Sequence, residues 1–314
     1  MSTRPDLTRY AWLSIAAAVT TLGMKTLAAV LTRSVGLLSD ALESVVNLVA
    51  ALVALFALRA AAKGPDDQFA YGREKAEYLS AGVEGTMIML AAVAIAATAV
   101  FRILNPRPLE RIGIGLVVST AAALVNLVVS TVLMRAGRRY RSITLEADAK
   151  HLMTDVWTSA GVLVGIGLVA LTGWRILDPL TALGVAANIV VSGMILIRRS
   201  VRGLLDASLP DDQVAEIEAV LDRHRSADGE FHALRTRQAG RRSFMSVHVL
   251  VPGARSVTVA HDLVEQVEAE LHEVVPDLTI VAHIEPLEDP RSFADEGLDR
   301  RRIPPSAQSR PPGQ

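Results

Sequence analysis

The classes of residue that this chain lacks already narrow what it can be. It contains no cysteine, which excludes a disulfide framework, thiolate metal ligands and a cysteine nucleophile. Aromatic residues make up only 4% of its 314 residues, and its formal net charge at pH 7 is −1. A net charge so close to zero provides no overall positive field, so we expect no nucleic-acid partner.

Apolar sequence is what the chain has in abundance. Hydrophobic residues make up 51% of it and its mean hydropathy is +0.34, which is rare for a soluble domain. The long apolar runs exclude a disordered protein, a coiled coil and a wholly soluble enzyme. A helix that crosses a bilayer needs about 20 mostly apolar residues. Six stretches qualify: Ala11–Leu31, Gly36–Ala62, Ala76–Phe101, Ile112–Met134, Leu145–Leu171 and Asp178–Ile197.

The basic residues that flank the six spans predict their orientation. Thirteen Lys and Arg residues lie on the side that holds both chain ends, and five lie on the other side. Cytoplasmic segments of membrane proteins carry the excess of basic residues. We therefore expect an integral multi-pass protein of the bacterial plasma (inner) membrane with both termini in the cytoplasm.

The pattern changes after the sixth span. Helical spacing of apolar residues from Val214 to Leu221 and from Val259 to Leu271 predicts two amphipathic helices. Alternating residues predict strands at Phe231–Arg237, Ser243–Val251 and Leu278–Glu285. The order α-β-β-α-β is typical of a small α+β domain of ferredoxin-like type.

The predicted fold class is therefore an α-helical membrane protein, with six transmembrane helices followed by a cytoplasmic α+β ferredoxin-like domain. The Pro-, Arg- and Ser-rich composition at the C-terminal end predicts a disordered tail. The expected divisions are a cytoplasmic N-terminus at 1–10, a transmembrane domain at 11–205, a cytoplasmic domain at 206–289 and the tail at 290–314.

Polar residues inside the second and fifth spans are the first candidates for function, because ionisable groups in a membrane are costly. Glu43 and Asn47 lie one helical turn apart in the second span, and His151 and Asp155 do so in the fifth. Both pairs fall near the middle of the membrane, so two facing helices could supply four ligands to one ion. Nitrogen and oxygen donors suit Zn²⁺, and also Fe²⁺, Co²⁺ or Mn²⁺. For Asn47 alone, an ordinary hydrogen bond between helices is the alternative.

Two further acidic residues in the spans have several interpretations. Glu84 in the third span could be an additional ligand, a proton carrier or the partner of Lys25. Asp40 lies one turn outward of Glu43 and could be an additional ligand or a helix cap.

Four segments resemble the cation diffusion facilitator family of divalent-metal transporters. They run from Ser34 to Asn47, from Tyr71 to Glu77, from Glu146 to Asp155 and from His232 to Gly240. The likeness extends from about residue 10 to residue 286, and it implies a homodimer with six spans and a trailing ferredoxin-like domain.

The resemblance implies a transport site made of Glu43, Asn47, His151 and Asp155. Family members usually carry His or Asp at the first of these positions and Asp at the second. Glu43 and Asn47 depart from that pattern, which leaves the preferred metal open. A second family site uses histidines in the loop after the second span, near Asp66 and Asp67. Because Phe69 and Arg73 stand at those positions, we expect that site to be absent.

The resemblance also implies a cytoplasmic zinc pair that joins the two protomers. Its implied ligands are His232, His248, His261, His283 and Glu285. Strand alternation agrees, because it places the side chains of His248, His283 and Glu285 opposite the apolar face of their strands. The alternative is a set of solvated surface histidines. His224 and His272 match no ligand position.

Three charged residues match positions where family members make ionic contacts near the membrane surface. They are Lys75, Asp206 and Arg237, which the resemblance implies hold the dimer or act at a hinge.

The expected function is export of a divalent metal from the cytoplasm by proton-coupled antiport with alternating access. Zn²⁺ or Fe²⁺ is the expected cargo, and Co²⁺, Mn²⁺ and Cd²⁺ are alternatives. The chain is not expected to be an enzyme, since no span carries the His-Glu-x-x-His pattern of an intramembrane metalloprotease. A membrane-bound metal sensor without transport and a cation channel remain as rival functions.

Overall fold

The structure is a computed structural model that describes residues 6–32, 35–105, 114–226 and 229–294. It divides into two compact units, Met1–Leu205 and Asp206–Gln314. The predicted disordered tail therefore lies outside the described residues, apart from its first five positions.

The first unit contains six long helices. Each has 25 to 30 residues, which at about 1.5 Å per residue is long enough to cross a hydrocarbon core of about 30 Å. All six contain an apolar window of the length and hydropathy of a membrane span. The predicted six-span architecture is confirmed. The helices are α1 Thr8–Thr32, α2 Val35–Ala61, α3 Ala76–Leu104, α4 Ile114–Tyr140, α5 Ile143–Thr172 and α6 Leu177–Leu204.

Helix α5 is the central element of this unit. One apolar cluster joins it to α1, α2 and α4 through residues such as Ala11, Leu55 and Leu133. A second cluster joins it to α3 and α6 through Ile88 and Ile189. Because α5 packs on both sides, the polar residues along it are enclosed by the bundle.

The second unit has the predicted α-β-β-α-β order, and a 3₁₀ helix is the last element among its described residues. Strands β1 and β2 pair antiparallel, β2 and β3 pair parallel, and β2 is the central strand. The two helices pack on one face of this sheet around Ile217, Val247, Val249 and Leu271. The elements are α7 Asp211–His224, β1 Glu230–Ala239, β2 Arg242–Val251, α8 Val257–Val274, β3 Leu278–Pro286 and the 3₁₀ helix Pro290–Phe293.

A β-bulge in β1 sets which residues face away from the helices. The register shifts between His232 and Arg235, and Ala233 adopts a φ of 52°. Phe231 and Ala233 are buried, whereas His232 lies on the opposite face. His232 pairs with His248 on β2, and His248 pairs with His283 on β3. Three histidines therefore form one row across the sheet.

Candidate metal centres

The structure brings together three of the four predicted transport ligands. Asn47 of α2 lies between His151 and Asp155 of α5. The Asn47 Nδ2 donates to Asp155 Oδ2 at 2.5 Å, and His151 Nε2 lies 2.8 Å from Asn47 Oδ1. All three residues are buried, with exposed fractions of 4%, 6% and 8% for Asn47, His151 and Asp155. The helical spacing that predicted a shared face is thus realised as a contact between two helices.

The hydrogen bonds also orient the Asn47 amide and the His151 ring. The Asn47 amide must direct its NH₂ group toward the Asp155 carboxylate, so its oxygen accepts a hydrogen bond from His151 Nε2. In the neutral imidazole Nδ1 then carries the lone pair, and Nδ1 is a buried atom without a hydrogen-bond partner. A neutral imidazole with an unpartnered lone pair, next to a carboxylate, is a donor set suited to a divalent cation.

The sequence reasoning missed Asn126 of α4. Its Nδ2 donates to Asp155 Oδ2 at 2.9 Å, and its side chain is buried. Asp155 Oδ2 therefore accepts hydrogen bonds from two amides, one on α2 and one on α4. The sequence did contain a signal for this residue, because Asn126 is the single amide side chain in the apolar run of α4.

The two acidic residues of α2, Asp40 and Glu43, lie in the helix, but their side chains are not among those that the structure describes. Glu43 precedes Asn47 by one turn, and Asp40 precedes Glu43 by a further turn. The ligand role of Glu43 and the accessory role of Asp40 stay predictions.

A pair of buried carboxylates lies in the same bundle, nearer to the N-terminal ends of α3 and α5. Glu84 of α3 accepts a hydrogen bond from Ser80 at 3.5 Å, and Asp148 of α5 accepts one from Ser14 at 3.0 Å. The two carboxyl groups interact electrostatically, and each has one buried oxygen without a hydrogen-bond partner. Such groups need a proton or a cation to compensate their charge. Sequence reasoning singled out Glu84 but not Asp148, although Asp148 lies three residues before His151.

A cavity of about 700 Å³ opens onto the transport residues. Asn47, His151 and Asp155 line one end of it, and Arg102 and Asp178 line the other. Most of its remaining wall is apolar. An ion bound between α2 and α5 would therefore have a route toward the end of α3 and the start of α6.

The loop between α2 and α3 is held by an arginine. Arg73 Nη2 lies 2.5 Å from Asp66 Oδ2, and its guanidinium stacks over the ring of Phe69 at 4.1 Å. The hydrogen bond from Arg73 holds the pKa of Asp66 below its usual value. The Arg73 guanidinium is therefore paired with Asp66, the carboxylate nearest to the position of the second family site. Asp67 beside it is exposed. The absence of a metal site in this loop stays a prediction.

The cytoplasmic unit contains a compact cluster of predicted ligands. Glu285 Oε2 lies 3.2 Å from His232 Nε2 and 3.0 Å from His248 Nδ1. Ligand atoms of the three residues all lie within 4.8 Å of one another. The bulge in β1 and the parallel register of β3 produce this meeting. Two imidazoles and a carboxylate fit the donor set and spacing of a Zn²⁺ site.

The other two predicted cytoplasmic ligands are placed differently. His283 is 65% exposed, its Nδ1 lies 3.7 Å from Glu285 Oε1, and its ring packs edge-on against His248. It therefore sits at the border of the cluster. His261 on α8 is 61% exposed and lies 3.7 Å from Glu265, outside the cluster.

The two histidines without a ligand match have structural partners. His224 Nε2 lies 2.8 Å from Glu270 Oε1, which joins the end of α7 to α8. The His272 ring nitrogens face the carbonyl oxygens of Glu268 and Leu278 at 2.7 and 3.0 Å.

The three predicted interfacial charges each make a contact within their own unit. Arg237 Nη1 lies 3.2 Å from Asp206 Oδ1 in the cytoplasmic unit. Lys75 Nζ donates to the carbonyl oxygen of Leu204 at 3.4 Å in the membrane unit. Their role at a dimer contact or hinge stays a prediction.

Comparison with known proteins covers both units. The family model for the cation efflux transmembrane domain matches residues 11–205, and that for the cation efflux protein cytoplasmic domain matches residues 209–287. The chain is 47% identical over 298 residues to the uncharacterized transporter sll1263 of Synechocystis sp., covering 95% of both chains. It is 31% identical over 255 residues to the cation-efflux pump FieF of Citrobacter koseri, covering 81% of this chain and 84% of the pump.

Solved structures resemble the cytoplasmic part. One, described as "Mode of Action of a Putative Zinc Transporter CzrB", is 39% identical and covers 25% of this chain and 96% of its own, with a TM-score of 0.24. Another, the metal-bound C-terminal domain of the CzcD transporter from Thermotoga maritima, is 30% identical and covers 25% of this chain and 92% of its own, with a TM-score of 0.24.

Proposed function

Because this chain belongs to the cation diffusion facilitator family of cation efflux transporters, we propose that it exports a divalent metal cation from the cytoplasm. The observation that supports this most directly is the buried contact of Asn47 with His151 and Asp155 at the end of a cavity. A polar cluster at the middle of a membrane bundle, open to one side, is the arrangement that transport of an ion requires.

The transported cation is the substrate of this site. Asp155 supplies a carboxylate, His151 an imidazole nitrogen and Asn47 an amide oxygen, and Glu43 would complete the set from one turn away on α2. The first three satisfy one another by hydrogen bonds when no ion is bound, so binding must exchange those bonds for metal–ligand bonds. The mixed nitrogen and oxygen donors favour Zn²⁺, with Fe²⁺, Co²⁺, Mn²⁺ and Cd²⁺ as further substrates to test.

Protons are the proposed counter-ion. Metal binds only to a neutral imidazole and ionised carboxylates, so protons and metal compete for the same groups. Proton entry from the outer side would release the ion there, and loss of protons to the cytoplasm would restore the site. Glu84 and Asp148 are buried carboxylates that would hold accessory protons along this route. Both termini would be cytoplasmic, as the basic residues predict.

We further propose that the protein is a homodimer whose cytoplasmic units bind Zn²⁺. His232, His248 and Glu285 would hold the ion, with His283 at the border of the site. Within one protomer, His261 lies outside this cluster. Any role of His261 as a ligand of the zinc pair therefore requires the homodimer. Zn²⁺ bound here would bring the two cytoplasmic units together and favour transport when cytosolic metal is high.

Metal flux into proteoliposomes that contain a pH dye tests the export proposal. Zn²⁺, Fe²⁺, Co²⁺, Mn²⁺ and Cd²⁺ are offered in turn to the parent protein and to Asp155→Asn. We expect metal uptake with opposite proton movement in the parent, and a loss of at least about tenfold in the variant, whose amide cannot replace the carboxylate. Asp67→Asn, at an exposed loop position, is the matched control and should transport as the parent does.

Two results would support the rival functions. If no ion moves while the cytoplasmic cluster still binds Zn²⁺ tightly, the protein is a metal-binding sensor. The cluster of His232, His248 and Glu285 is the observation that favours this second candidate. Metal flux that ignores an imposed proton gradient would instead indicate a channel.

A further inference from the structure

The cavity that begins at the transport residues ends at an ion pair. Arg102 Nη1 near the end of α3 lies 3.1 Å from Asp178 Oδ2 in the first turn of α6. Both residues line the cavity. The Arg102 side chain is 56% exposed, whereas that of Asp178 is 14% exposed. The basic residues of the sequence assign this end of the bundle to the outside.

The distance from the transport site to this ion pair is about three turns of helix. Gly165 of α5 faces Asp178, because a Cβ at Gly165 would come 2.9 Å from Asp178 Oδ1. Ten residues separate Asp155 from Gly165, which corresponds to about 15 Å. The Asp178 carboxylate is therefore held between α5 on one side and Arg102 of α3 on the other.

The cavity wall offers a leaving cation few ligands between these two points. Among the lining residues whose side chains the structure describes, carboxylates occur only at Asp155 and Asp178. The polar groups between them are hydroxyls, such as those of Thr98 and Thr158, and the rest are mainly Ala, Val, Ile and Leu side chains. A divalent cation binds oxygen anions far better than neutral hydroxyls.

We propose that Asp178 is a second, transient binding subsite for the exported divalent cation, and that Arg102 is the cation that competes for it. The inference rests on the proposed export function. Between passages the guanidinium neutralises the Asp178 carboxylate. An ion arriving from Asp155 displaces Arg102, whose exposed side chain can turn toward water. The return of Arg102 then releases the ion to the outside.

The exposure of the two side chains supports competition between Arg102 and a divalent ion for Asp178, not a permanent ion pair. Ion pairs between partly exposed groups are weak, so a divalent ion at the same carboxylate can replace the arginine. A carboxylate that is only 14% exposed would retain a divalent ion if no competing cation stood beside it. Arg102 thus makes the subsite transient.

The test compares the full-length parent with Arg102→Gln, Asp178→Asn and the double variant. Equilibrium binding of Zn²⁺ is measured in detergent, and Zn²⁺ flux is measured in proteoliposomes. We expect Arg102→Gln to bind one more Zn²⁺ per protomer than the parent and to transport about tenfold more slowly, because the ion stays longer at Asp178. The double variant should lose the additional ion and recover much of the transport rate.

Arg175→Gln is the matched control. Arg175 is an exposed arginine at the same end of the bundle that does not line the cavity. This variant should equal the parent in both Zn²⁺ stoichiometry and transport rate.

The outcomes separate this inference from the proposed function. Parent-like Zn²⁺ stoichiometry and flux in Arg102→Gln overturn the subsite while leaving export intact. Slow transport in both Arg102→Gln and the double variant, with no additional Zn²⁺ in either, would show that the ion pair only stabilises the structure. That result also overturns the subsite. An additional Zn²⁺ in Arg102→Gln that the double variant lacks, without flux in the parent, supports the subsite and contradicts export.

Discussion

At the scale of single residues, Asn47 is the position where the proposed transport site departs most clearly from the family's pattern. Its amide donates to Asp155 and accepts from His151, so the three side chains are joined by hydrogen bonds. An aspartate could accept but not donate there, and two carboxylates would face each other. Asn47 therefore links His151 to Asp155 and offers the cation less negative charge than an aspartate would.

Replacing this amide tests the trade-off between stability and affinity. Asn47→Asp should lower the melting temperature of the metal-free protein in detergent, because the Asp155 carboxylate loses a donor and gains a repelling neighbour. The additional charge should tighten Zn²⁺ binding by about tenfold. Thermal unfolding with EDTA and with Zn²⁺, together with competition binding, measures both effects. An unchanged melting temperature in EDTA would contradict this account of Asn47.

The contacts of the proposed transport site were predicted in part. Helical spacing alone brought His151 and Asp155 to one face of α5, and the choice of Asn47 as their partner agrees with the structure. Asn126 was missed because nothing in the local pattern of α4 shows that it packs against α5 at this depth. The hydrogen bond from Ser14 to Asp148 was missed for the same reason, because 134 residues separate the two in sequence.

At the scale of elements, the pairing of α3 with α6 depends on close approach at small residues. A Cβ at Gly85 of α3 would meet Ile197 Cγ1 at 2.8 Å and the Ile197 backbone nitrogen at 3.3 Å. Such small residues let membrane helices pack backbone against backbone. These two helices carry Arg102 and Asp178, so their spacing determines the far end of the cavity.

Gly85→Ala should therefore destabilise the membrane unit. We expect a cost of about 1–3 kcal/mol from overpacking against α6, because the contact includes backbone that cannot move aside. Gly184→Ala on α6 is the control, since a Cβ at Gly184 meets nothing within 4 Å. Alanine is the better helix former, so the control should be as stable as the parent or slightly more so. Thermal unfolding in detergent compares them, and equal losses in both variants would exclude the packing explanation.

The row of histidines in the cytoplasmic unit is also a property of elements. Strand alternation predicted which face each residue occupies, but the meeting of His232 with Glu285 requires the bulge in β1 and the parallel pairing of β2 with β3. His283 and His261 share the family pattern, yet within one protomer only the former borders the cluster.

Loss of the shared carboxylate should abolish Zn²⁺ binding at this cluster. Glu285→Gln keeps the shape of the side chain but removes the charge that both imidazoles face, so we expect one fewer tightly bound Zn²⁺ per protomer. Glu288→Gln, three residues on, is the control, because Glu288 is exposed and accepts a hydrogen bond from the Gly253 N–H instead. Calorimetric titration of the full-length protein measures the stoichiometry, and identical binding in the two variants would argue against the cluster.

At the scale of the whole molecule, the chain has two units with separate cores. The membrane unit is built on the clusters around α5, and the cytoplasmic unit has its own core between helices and sheet. The proposed metal sites in the two units would allow cytosolic Zn²⁺ to act on transport through the proposed homodimer. Because the chain has no cysteine, a single introduced thiol reports on that assembly without background labelling.

A spin label at Glu273→Cys, an exposed position on α8, should report the approach of the two cytoplasmic units. We expect the distance between labels in the dimer to shorten and its distribution to narrow when Zn²⁺ is added. The same label in a Glu285→Gln background should show a much smaller change, because the cluster has lost its shared carboxylate. Distances that ignore Zn²⁺ in the first protein would contradict regulation through the cytoplasmic unit.

The sequence by itself determined the six spans, the α-β-β-α-β order that follows them, the shared face of His151 and Asp155 on α5, and the face of His248, His283 and Glu285 on their strands. These features depend on apolar length and on periods of 3.6 and 2, which are local properties of the chain. Only the tertiary structure decided that Asn126 completes the surroundings of Asp155, that Arg102 meets Asp178 and that His261 stands apart from His232. Such contacts join residues tens of positions apart, and which helix or strand faces which is settled by packing, not by local pattern.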